Sequence, residues 1–376
     1  MVRVAVNVEQ LLHEAPGGIG RYTAELVRLL PGLGIDVTPF TARHPEAQVE
    51  AALAAHGLVG LDPVILPLPA PVLYDAWHLP GLANPVRRVA PVDLVHAPSP
   101  AVPPTGKVPL VVTVHDAAPI TMPEAFTKRG VYFHRSGFRA AAKRATLVIA
   151  VSEFSADEVA AHTPIRRDRI RVVHNGVDLE AATGADVVRV REAFALGDEP
   201  YVFWAGTHQP RKNVRVLLDA FTRLGDDVPH RLVLAGPKGW LADDEDGAVA
   251  RALGDRLRLL GPVGRHDIFP LFAGADLFAF PSRHEGFGIP VLEAMAQDTA
   301  VVCSDIPALR EVGGDGARFV PPDDIDAWVE ALRDLLLHDS VRRALADRGR
   351  ERVQGFSWPR CAAATAAVYA EALGTT

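Results

Sequence analysis

A chain of 376 residues is too long for a single compact core, and its length predicts two domains of ordinary size. The net charge of −7 argues against a nucleic-acid-binding protein, and a hydrophobic content of 48% is typical of a globular chain rather than a disordered one. The two cysteines, Cys303 and Cys361, are too few for a secreted disulfide scaffold and are expected to be buried thiols.

Short β-rich runs alternate with amphipathic runs along the chain, which predicts an α/β protein with parallel sheets flanked by helices. In the first half the predicted strands are Val2–Val8, Leu94–His96, Leu110–His115, Leu147–Val151 and Arg171–Val173. In the second half they are Tyr201–Ala205, Arg231–Ala235, Leu257–Leu260, Leu277–Phe280, Val301–Cys303 and Arg318–Val320. Several are nearly continuous apolar runs, as expected of strands covered on both faces.

The spacing of these strands predicts the domain boundaries. Strand density falls between Gly176 and Pro200, and a new sheet opens at Tyr201. The predicted domains are therefore residues 1–185 and residues 186–357. The remaining segment, 358–376, is predicted to form an alanine-rich helix.

The start of the chain and a proline-rich stretch bear on where in the cell the protein is expected to lie. The first strand contains Arg3 and Asn7 and no small-residue cleavage site follows it, so it does not resemble a signal peptide. No apolar run reaches the ~18 residues that a membrane-spanning helix requires, and a cytoplasmic location is expected. Within the proline-rich stretch Leu61–Pro104, the apolar runs 64–69 and 79–82 are expected to pack on the first domain. The alternative is weak peripheral contact with the inner face of the membrane, or contact with an acceptor.

A glycine-rich segment follows the first strand. Gly17 and Gly18 precede a predicted helix, Arg21–Leu30. Glycines let backbone N–H groups approach a ligand closely, and a helix N-terminus favours a phosphate. The segment lacks the G-x-G-x-x-G pattern of dinucleotide-binding proteins. A phosphate-binding turn and a plain strand-to-helix turn both fit these residues.

His115 stands at the carboxyl end of a predicted strand, within Thr113-Val114-His115-Asp116. Ligands of open α/β sheets bind at that edge. A histidine there can hydrogen-bond a sugar hydroxyl or steady a leaving group. The alternative is a histidine satisfied by local backbone, with Asp116 capping the residues that follow.

A basic loop follows the strand Tyr201–Ala205. Arg211 and Lys212 lie just before a predicted helix, Val214–Leu224, for which Asn213 is the predicted N-cap. Two fixed cations and a helix dipole can neutralise a diphosphate without a metal ion. The alternative is a pair of solvated basic side chains.

Two carboxylates flank a glycine-rich turn after the strand Leu277–Phe280. Glu285 precedes the turn Gly286-Phe287-Gly288, whose backbone amides are expected to be available to a ligand. Pro290 suits the first position of a helix, which places Glu293 in the first turn. A first-turn carboxylate is favourable by itself, but strand, acid, glycine turn, proline and second acid together are hard to explain by packing. The segment therefore predicts a ligand site.

Metal sites are not predicted. Asp244-Glu245-Asp246 and Asp324-Ile325-Asp326 match the D-x-D pattern with which sugar-nucleotide enzymes can bind a divalent ion. The first lies in an acidic loop and the second opens a predicted helix, where acids act as caps. The histidines lack zinc-ligand spacing, and the sequence has no Walker motif and no nucleophile elbow.

Together these segments resemble glycosyltransferase family 4, a retaining family with the GT-B fold. The stretch from Glu285 to Glu293 resembles the family's E-x7-E motif, and Gly206–Asn213 resembles its basic donor loop. The resemblance implies two Rossmann-like, doubly wound parallel-sheet domains facing a cleft. The first would bind the acceptor and the second the nucleotide sugar. It also implies that the last helix, from about Trp358, crosses back onto the first domain.

The resemblance further implies a role for each site residue. Glu293 would bind the ribose hydroxyls, and Glu285 would hold the transferred sugar together with the amides of Gly286, Phe287, Gly288 and Ile289. Arg211 and Lys212 would neutralise the leaving diphosphate with help from Gly17 and Gly18, and His115 would contact the sugar near the reacting carbon. Thr207 stands where many members carry arginine, so Arg211 is expected to take over that charge.

The expected activity is a metal-independent, retaining transfer of a hexose, with mannose slightly favoured. The donor would be a GDP-sugar or a UDP-sugar, and the acceptor a hydroxyl of a glycan, a lipid-linked glycan or a small natural product. No cofactor and no nucleic-acid partner are expected. Alternatives on the same fold are a sugar-nucleotide epimerase and a phosphorylase. An alternative of another class is a two-domain solute-binding protein, which would not need the Arg211–Lys212 loop.

Overall fold

The structure, a computed structural model, describes residues 1–13, 17–78, 82–237 and 251–375. The chain forms two compact units, one made of Met1–Gly176 with Trp358–Thr376 and the other of Val177–Ser357. The boundary after Gly176 lies nearer the N-terminus than the predicted one between residues 185 and 186. The reason is that Val177 already forms a β-bridge with Ser357, at the other end of the second unit.

The first unit contains a parallel sheet with strand order β3-β2-β1-β4-β5-β6-β7. The strands are β1 Val2–Asn7, β2 Ile35–Thr41, β3 Val64–Ile65, β4 Leu94–Ala97, β5 Leu110–Val114, β6 Leu147–Ala150 and β7 Ile170–Val172. The α-helices are α1 Gly17–Leu29, α2 Glu46–Ala55, α3 Ala70–His78, α4 Val86–Val89, α5 Ala118–Thr121, α6 Lys128–Arg144 and α7 Glu153–His162. Short 3-10 helices span Glu9–Leu12, Leu30–Leu33, Pro123–Ala125 and Arg167–Arg169.

The second unit contains a parallel sheet with strand order β10-β9-β8-β11-β12-β13. The strands are β8 Tyr201–Ala205, β9 Arg231–Ala235, β10 Leu257–Gly261, β11 Leu277–Phe280, β12 Ala300–Ser304 and β13 Ala317–Val320. The α-helices are α8 Gly184–Ala193, α9 Val214–Leu224, α10 Arg265–Ala273, α11 Ile289–Ala296, α12 Pro307–Gly313, α13 Ile325–Leu337 and α14 Asp339–Val353. Short 3-10 helices span Pro210–Lys212, Gly225–Asp227, Gly254–Arg256 and Gly314–Gly316.

Every predicted strand is present with ends shifted by no more than one residue, but β2 and β3 were not predicted. Pro39 lies within β2, and proline cannot donate to a strand ladder. The structure tolerates Pro39 because β3 pairs only with Phe40 and Thr41. Pro39 therefore has a strand neighbour, β1, on one side alone.

The proline-rich excursion is more regular than the sequence predicted, because it contains β3, α3 and α4. In the run 64–69, Leu66 is buried in a hydrophobic cluster of the first unit, as the packing interpretation expected, whereas Ile65 is exposed. Leu73 and Trp77 of α3 belong to the same cluster. Leu82 is exposed, and residues 79–81 lie outside the described residues. In the ranges that are described, no helix combines the length and the apolar character needed to cross a membrane.

A last helix, α15 Trp358–Leu373, belongs to the first unit, which confirms that the chain crosses back. Its residues Cys361 and Val368 are buried in the same hydrophobic cluster as residues of α1. The Tyr369 hydroxyl is hydrogen-bonded to Nδ1 of His96 at 2.7 Å. Cys303 and Cys361 are both buried free thiols, as expected.

Each sheet has one point at which the strand order reverses, between β1 and β4 in the first unit and between β8 and β11 in the second. Ligands of doubly wound sheets bind beside the carboxyl ends of the strands at such points. The loops after β8 and β11 contain Arg211, Lys212 and Glu285. The fold and the sequence motifs therefore indicate the same residues.

Candidate active site

The basic loop begins as an extension of the contact between β8 and β9. Gly206 N donates to Ala235 O at 3.0 Å, and His208 N donates to Pro237 O at 3.2 Å. A Cβ atom on Gly236, whose φ is +140°, would lie 1.8 Å from the Gly206 carbonyl oxygen, so glycine is required there. Thr207 is half-buried in this extended segment. The close approach of two backbones thus fixes the first residues of the basic loop.

Lys212 and Glu285 form a buried ion pair. Lys212 Nζ donates to Glu285 Oε1 at 2.5 Å, and the two residues are only 9% and 7% exposed. The ammonium also lies 5.0 Å from the centre of the Phe280 ring, at the end of β11, which is a cation–π distance. Removing either charge would leave the other buried and uncompensated, which typically costs ~3–5 kcal/mol.

Arg211 adds a second cation and joins the two loops. Its Nη1 lies 3.5 Å from Glu285 Oε2 and donates to the His284 carbonyl oxygen at 3.2 Å. Its own carbonyl oxygen accepts from Arg283 N at 2.8 Å. The side chain is partly exposed, so Arg211 can face a ligand while its backbone ties the loop after β8 to the loop after β11.

The cations determine the protonation state of Glu285. Burial is the largest influence on this carboxyl and would raise its pKa, but the Lys212 ammonium and then the Arg211 guanidinium outweigh it. The net effect holds the pKa of Glu285 below its usual value. The carboxylate is therefore ionised at neutral pH, and the cluster of two cations and one anion carries a net positive charge.

Asn213 takes the predicted N-cap position of α9 but does not cap the helix with its side chain. Its backbone is left-handed, with φ +54° and ψ +36°, a conformation that asparagine tolerates better than most residues. The side-chain amide instead donates to Pro322 O at 2.7 Å. Asn213 thus fixes the basic loop to the loop after β13, a link that the motifs did not indicate.

The second acid of the E-x7-E segment lies one residue further into its helix than predicted. Gly288 is the N-cap, and a Cβ atom at its φ of +109° would lie 2.6 Å from Leu309 Cδ2. Helix α11 therefore begins at Ile289, which makes Pro290 the second helical residue instead of the first. Glu293 consequently falls in the second turn, where it is half-buried.

The glycine turn between the two acids is buried. The Phe287 side chain is 4% exposed and packs edge-on against Phe356, with ring centres 5.9 Å apart. Gly286 and Gly288 are buried as well. The Phe287 side chain is therefore occupied by packing, and contact between the backbone amides of this turn and a ligand stays a prediction.

In the first unit, His115 directly follows β5. Its Nε2 donates to the Pro98 carbonyl oxygen at 2.9 Å, and its ring meets Tyr22 edge-on at 5.2 Å. Burial is the main cause that lowers the pKa of His115, so the ring is neutral near pH 7. Asp116 Oδ1 accepts from Ala118 N at 3.1 Å, the capping role that was the alternative interpretation. With Nε2 as the donor, Nδ1 is left as the acceptor nitrogen of His115.

Glu158 of α7 holds the segment that follows His115, and no motif indicated it. This buried carboxylate accepts from Ala117 N at 3.1 Å and from Thr121 Oγ1 at 3.1 Å. An isolated acid on an amphipathic helix carries no sequence signal for such a contact.

Gly17 and Gly18 are exposed in the first turn of α1, which starts four residues earlier than the predicted helix. The φ of Gly17 is +59°, which a residue with a side chain rarely adopts. The exposed first turn presents backbone N–H groups, as a phosphate site requires.

The acid pairs considered for metal binding have structural partners where they are described. Asp324 Oδ1 accepts from Ala327 N at 3.0 Å and caps α13, whereas Asp326 pairs with Arg223. Residues 244–246 lie outside the described residues. Over the described ranges, no three His, Cys, Asp or Glu side chains are grouped so that they could hold a metal ion.

Comparisons with known proteins agree with this geometry. The family model "Glycosyl transferases group 1" matches residues 189–352, and "Glycosyltransferase Family 4" matches residues 16–181. O-antigen chain mannosyltransferase B of Escherichia coli is 34% identical over 264 residues, 69% of each chain. O-antigen chain mannosyltransferase RfbU of Salmonella typhimurium is 30% identical over 233 residues, 62% of each chain.

Among solved structures, Anabaena HepE in complex with UDP and glucose matches with a TM-score of 0.75 and 20% identity. The match covers 99% of this chain and 100% of that one. It shows that the two parallel-sheet units have the GT-B architecture that the motifs predicted. The two family models fall on the two units, and the motif residues lie at the carboxyl edges of their sheets. The chain therefore belongs to glycosyltransferase family 4.

Proposed function

We propose that the protein is a retaining, metal-independent glycosyltransferase that moves a hexose from a nucleotide-diphosphate sugar to an acceptor hydroxyl. The observation that carries this proposal is the cluster of Lys212, Arg211 and Glu285 at the carboxyl ends of β8 and β11. Two cations balanced by one carboxylate leave a positive charge, and a diphosphate is the ligand that such a charge favours.

The cations suit the departure of a nucleoside diphosphate. When the anomeric C–O bond breaks, negative charge grows on the diphosphate and positive charge grows on the sugar. Lys212 and Arg211 would stabilise the diphosphate, the task that a divalent metal ion performs in other sugar-nucleotide enzymes. Removing one such preorganised contact typically costs ~2.7–4 kcal/mol of transition-state stabilisation.

Glu285 is proposed to hold the sugar rather than attack it. One oxygen of the carboxylate is hydrogen-bonded to Lys212 and the other lies near Arg211, which reduces its nucleophilicity. A double displacement through Glu285 is therefore disfavoured, although hydrolases with a carboxylate pair use that route. We propose instead an attack from the same face, in which an oxygen of the leaving diphosphate accepts the proton of the acceptor hydroxyl.

The remaining site residues keep their expected roles as part of the proposal. Glu293 would bind the ribose, and the backbone of 286–289 would contact the sugar. Gly17 and Gly18 would contact phosphate, and His115 would contact the sugar with its neutral ring. The acceptor would bind to the first unit.

Mannose is the proposed sugar because both relatives described above are mannosyltransferases of O-antigen chains. GDP-mannose is therefore the first donor to test, and UDP-sugars are second because the HepE structure contains UDP and glucose. A glycan or a lipid-linked glycan is the corresponding acceptor class.

The test combines a donor panel with product analysis. The purified protein is incubated with GDP-, UDP-, ADP- and dTDP-sugars, with and without EDTA, and nucleotide release and the anomeric configuration of the product are measured. We expect one base to be strongly preferred, release to persist in EDTA, and the donor configuration to be retained. Inversion, strict dependence on added Mg²⁺ or Mn²⁺, or isomerisation of the donor without acceptor would each contradict the proposal.

A further inference from the structure

A group of rings in the first unit, which we call the aromatic patch, has no role in the chemistry described so far. It consists of Tyr74 and His78 on α3, Phe126, and Phe133 and His134 on α6. The Phe133 ring lies 5.5 Å from Tyr74, 5.2 Å from His78 and 5.2 Å from His134, and Phe126 lies 6.3 Å from His134. All five residues are half-buried.

The aromatic patch lies toward the carboxyl edge of the first sheet. Helix α6 begins a short distance after β5, so Phe133 and His134 are in its first two turns. His78 Nε2 donates to the carbonyl oxygen of Pro100, in the loop that follows β4, at 3.0 Å. That edge is where doubly wound sheets bind ligands.

Packing alone explains the aromatic patch incompletely. The neighbouring Trp77 and Phe138 are fully enclosed, with exposures of 1% and 2%, as expected of rings that serve the core. Tyr74 and Phe133 pack on the same hydrophobic cluster but keep part of their surface accessible. A ring that remains partly open beside a ligand-binding edge is available for stacking.

Polar groups of the aromatic patch can bond to hydroxyls. His134 donates from Nδ1 to Gly130 O at 2.8 Å, so its Nε2 is an acceptor. Burial lowers the pKa of His134 and brings that of His78 to about 4, which keeps both rings neutral near pH 7. The Tyr74 hydroxyl has no hydrogen-bond partner among the described residues. The aromatic patch therefore offers both a neutral acceptor and a hydroxyl.

The charges around the aromatic patch bear on its ligand. The patch itself contains no cation, and the two basic residues of α6 that bond to α3 are engaged, whereas the other basic side chains of α6 are exposed. Arg129 pairs with Asp75 at 3.2 Å, and Arg144 donates to the Trp77 carbonyl oxygen at 2.6 Å. An anionic lipid headgroup or a sugar phosphate would require cations within the patch itself. A neutral ligand with an apolar face and several hydroxyls fits better, and a pyranose ring has both features.

We propose that the aromatic patch binds a pyranose ring of a neutral glycan acceptor. The ring would stack on Phe133 and Tyr74, and its hydroxyls would bond to His134 Nε2 and the Tyr74 hydroxyl. This inference rests on the proposed function, because it names the acceptor class of the same glycosyl transfer.

The test measures glycan binding separately from donor binding. Short neutral oligosaccharides ending in mannose, galactose, glucose, rhamnose or N-acetylglucosamine are added at millimolar concentration to the full chain with saturating GDP or UDP. Saturation-transfer NMR identifies a bound member, and calorimetry gives its affinity. The variant Phe133→Leu removes the aromatic face but keeps an apolar side chain, and His134→Phe keeps a ring but removes the acceptor nitrogen.

We expect at least one oligosaccharide to bind, Phe133→Leu to weaken it by about tenfold, and His134→Phe to weaken it severalfold. The matched control is Tyr132→Leu, which changes an aromatic residue on the same helix that is 53% exposed, and it should leave the affinity unchanged. An unchanged thermal shift with nucleotide shows that each variant is folded and that the donor site is intact.

Three results would overturn the inference. They are no binding by any oligosaccharide, equal binding by Phe133→Leu and the wild type, or a Phe133→Leu defect confined to anionic phospholipid vesicles. A chain that binds glycan through the aromatic patch but neither binds nor cleaves any nucleotide sugar would instead refute the proposed function. The two failures are therefore distinguishable.

Discussion

The substitution Glu285→Gln should tighten the binding of a nucleoside diphosphate while it impairs transfer. Without a ligand, Glu285 is the counter-anion of Lys212 at 2.5 Å and of Arg211 at 3.5 Å. A phosphate that binds the same cations is repelled by this carboxylate. Glutamine keeps the size of the side chain and an oxygen for Lys212 but removes the charge, so the repulsion disappears.

The ion-pair geometry sets the magnitude. A phosphate oxygen that contacts Nζ on the side away from Glu285 lies ~5.5 Å from Oε1, the 2.5 Å of the ion pair plus ~3 Å for the new contact. At an effective dielectric constant of ~20, two unit charges at that separation repel each other by ~3 kcal/mol. Part of this gain is lost because Lys212 is held less firmly in the variant. We therefore expect nucleotide binding to improve by a net ~1–2 kcal/mol, which is a 5- to 30-fold lower Kd.

Isothermal titration of UDP and GDP, with no sugar attached, measures this effect. The matched control is Asp219→Asn, which neutralises an acid paired with Arg215 on the surface of α9 and should leave the Kd unchanged. Thermal unfolding should first show that the Glu285→Gln protein is folded, since breaking a buried pair is destabilising. Weaker nucleotide binding by Glu285→Gln would refute the reasoning, because the carboxylate would then assist phosphate binding.

Three further predictions follow from contacts described above. Lys212→Met should reduce the turnover number by at least ~100-fold in a nucleotide-release assay, whereas Arg223→Met, which breaks an exposed ion pair in the same unit, should not. Near-normal turnover in Lys212→Met would refute the proposal that Lys212 stabilises the leaving diphosphate. Burial lowers the pKa of His78, His96, His115 and His134, so the unfolded chain takes up protons below about pH 6.5 that the folded first unit does not. The free energy of unfolding of that unit should therefore decrease as the pH is lowered, by up to ~1.4 kcal/mol per pH unit per histidine, and hydrogen exchange in its strands should accelerate first. A free energy of unfolding that stays constant between pH 6.5 and about 5 would contradict this. Gly236→Ala should destabilise the second unit by more than ~4 kcal/mol in urea unfolding, while Gly264→Ala, which meets nothing within 4 Å, should be tolerated; equal stability of the two variants would show that the Gly206 contact relaxes easily.

The sequence predicted those parts of the fold that depend on local pattern. Apolar runs such as Leu277–Phe280 located the strands because strands covered on both faces need continuous hydrophobic residues. The sequence did not predict β2, because Pro39 breaks the local pattern of that strand and is tolerated only because its partner β3 is short. It also could not locate the unit boundary at Gly176, since the bridge from Val177 to Ser357 joins distant parts of the chain.

In the candidate site too, the features that depend on local sequence were predicted and those that depend on long-range contacts were not. The positions of Arg211, Lys212 and Glu285 in loops followed from local motifs. Their mutual contacts depend on β8 lying beside β11, a long-range arrangement that spacing does not encode. The register of Glu293 was wrong because the left-handed Gly288 sets the start of α11, and Leu309, on another helix, limits the space at that glycine.

Helix α15 makes the second unit an insertion in the first, and this affects the order of folding during synthesis. The segment Val177–Ser357 is continuous and can complete its core as soon as it leaves the ribosome. The first unit, although it starts earlier, lacks Trp358, Cys361 and Tyr369 of its hydrophobic cluster until α15 is made. The usual order, in which an N-terminal domain folds first, is therefore expected to be reversed. A chain that stops before Trp358 would hold a finished second unit joined to a first unit with an open apolar face, a target for chaperones and proteases.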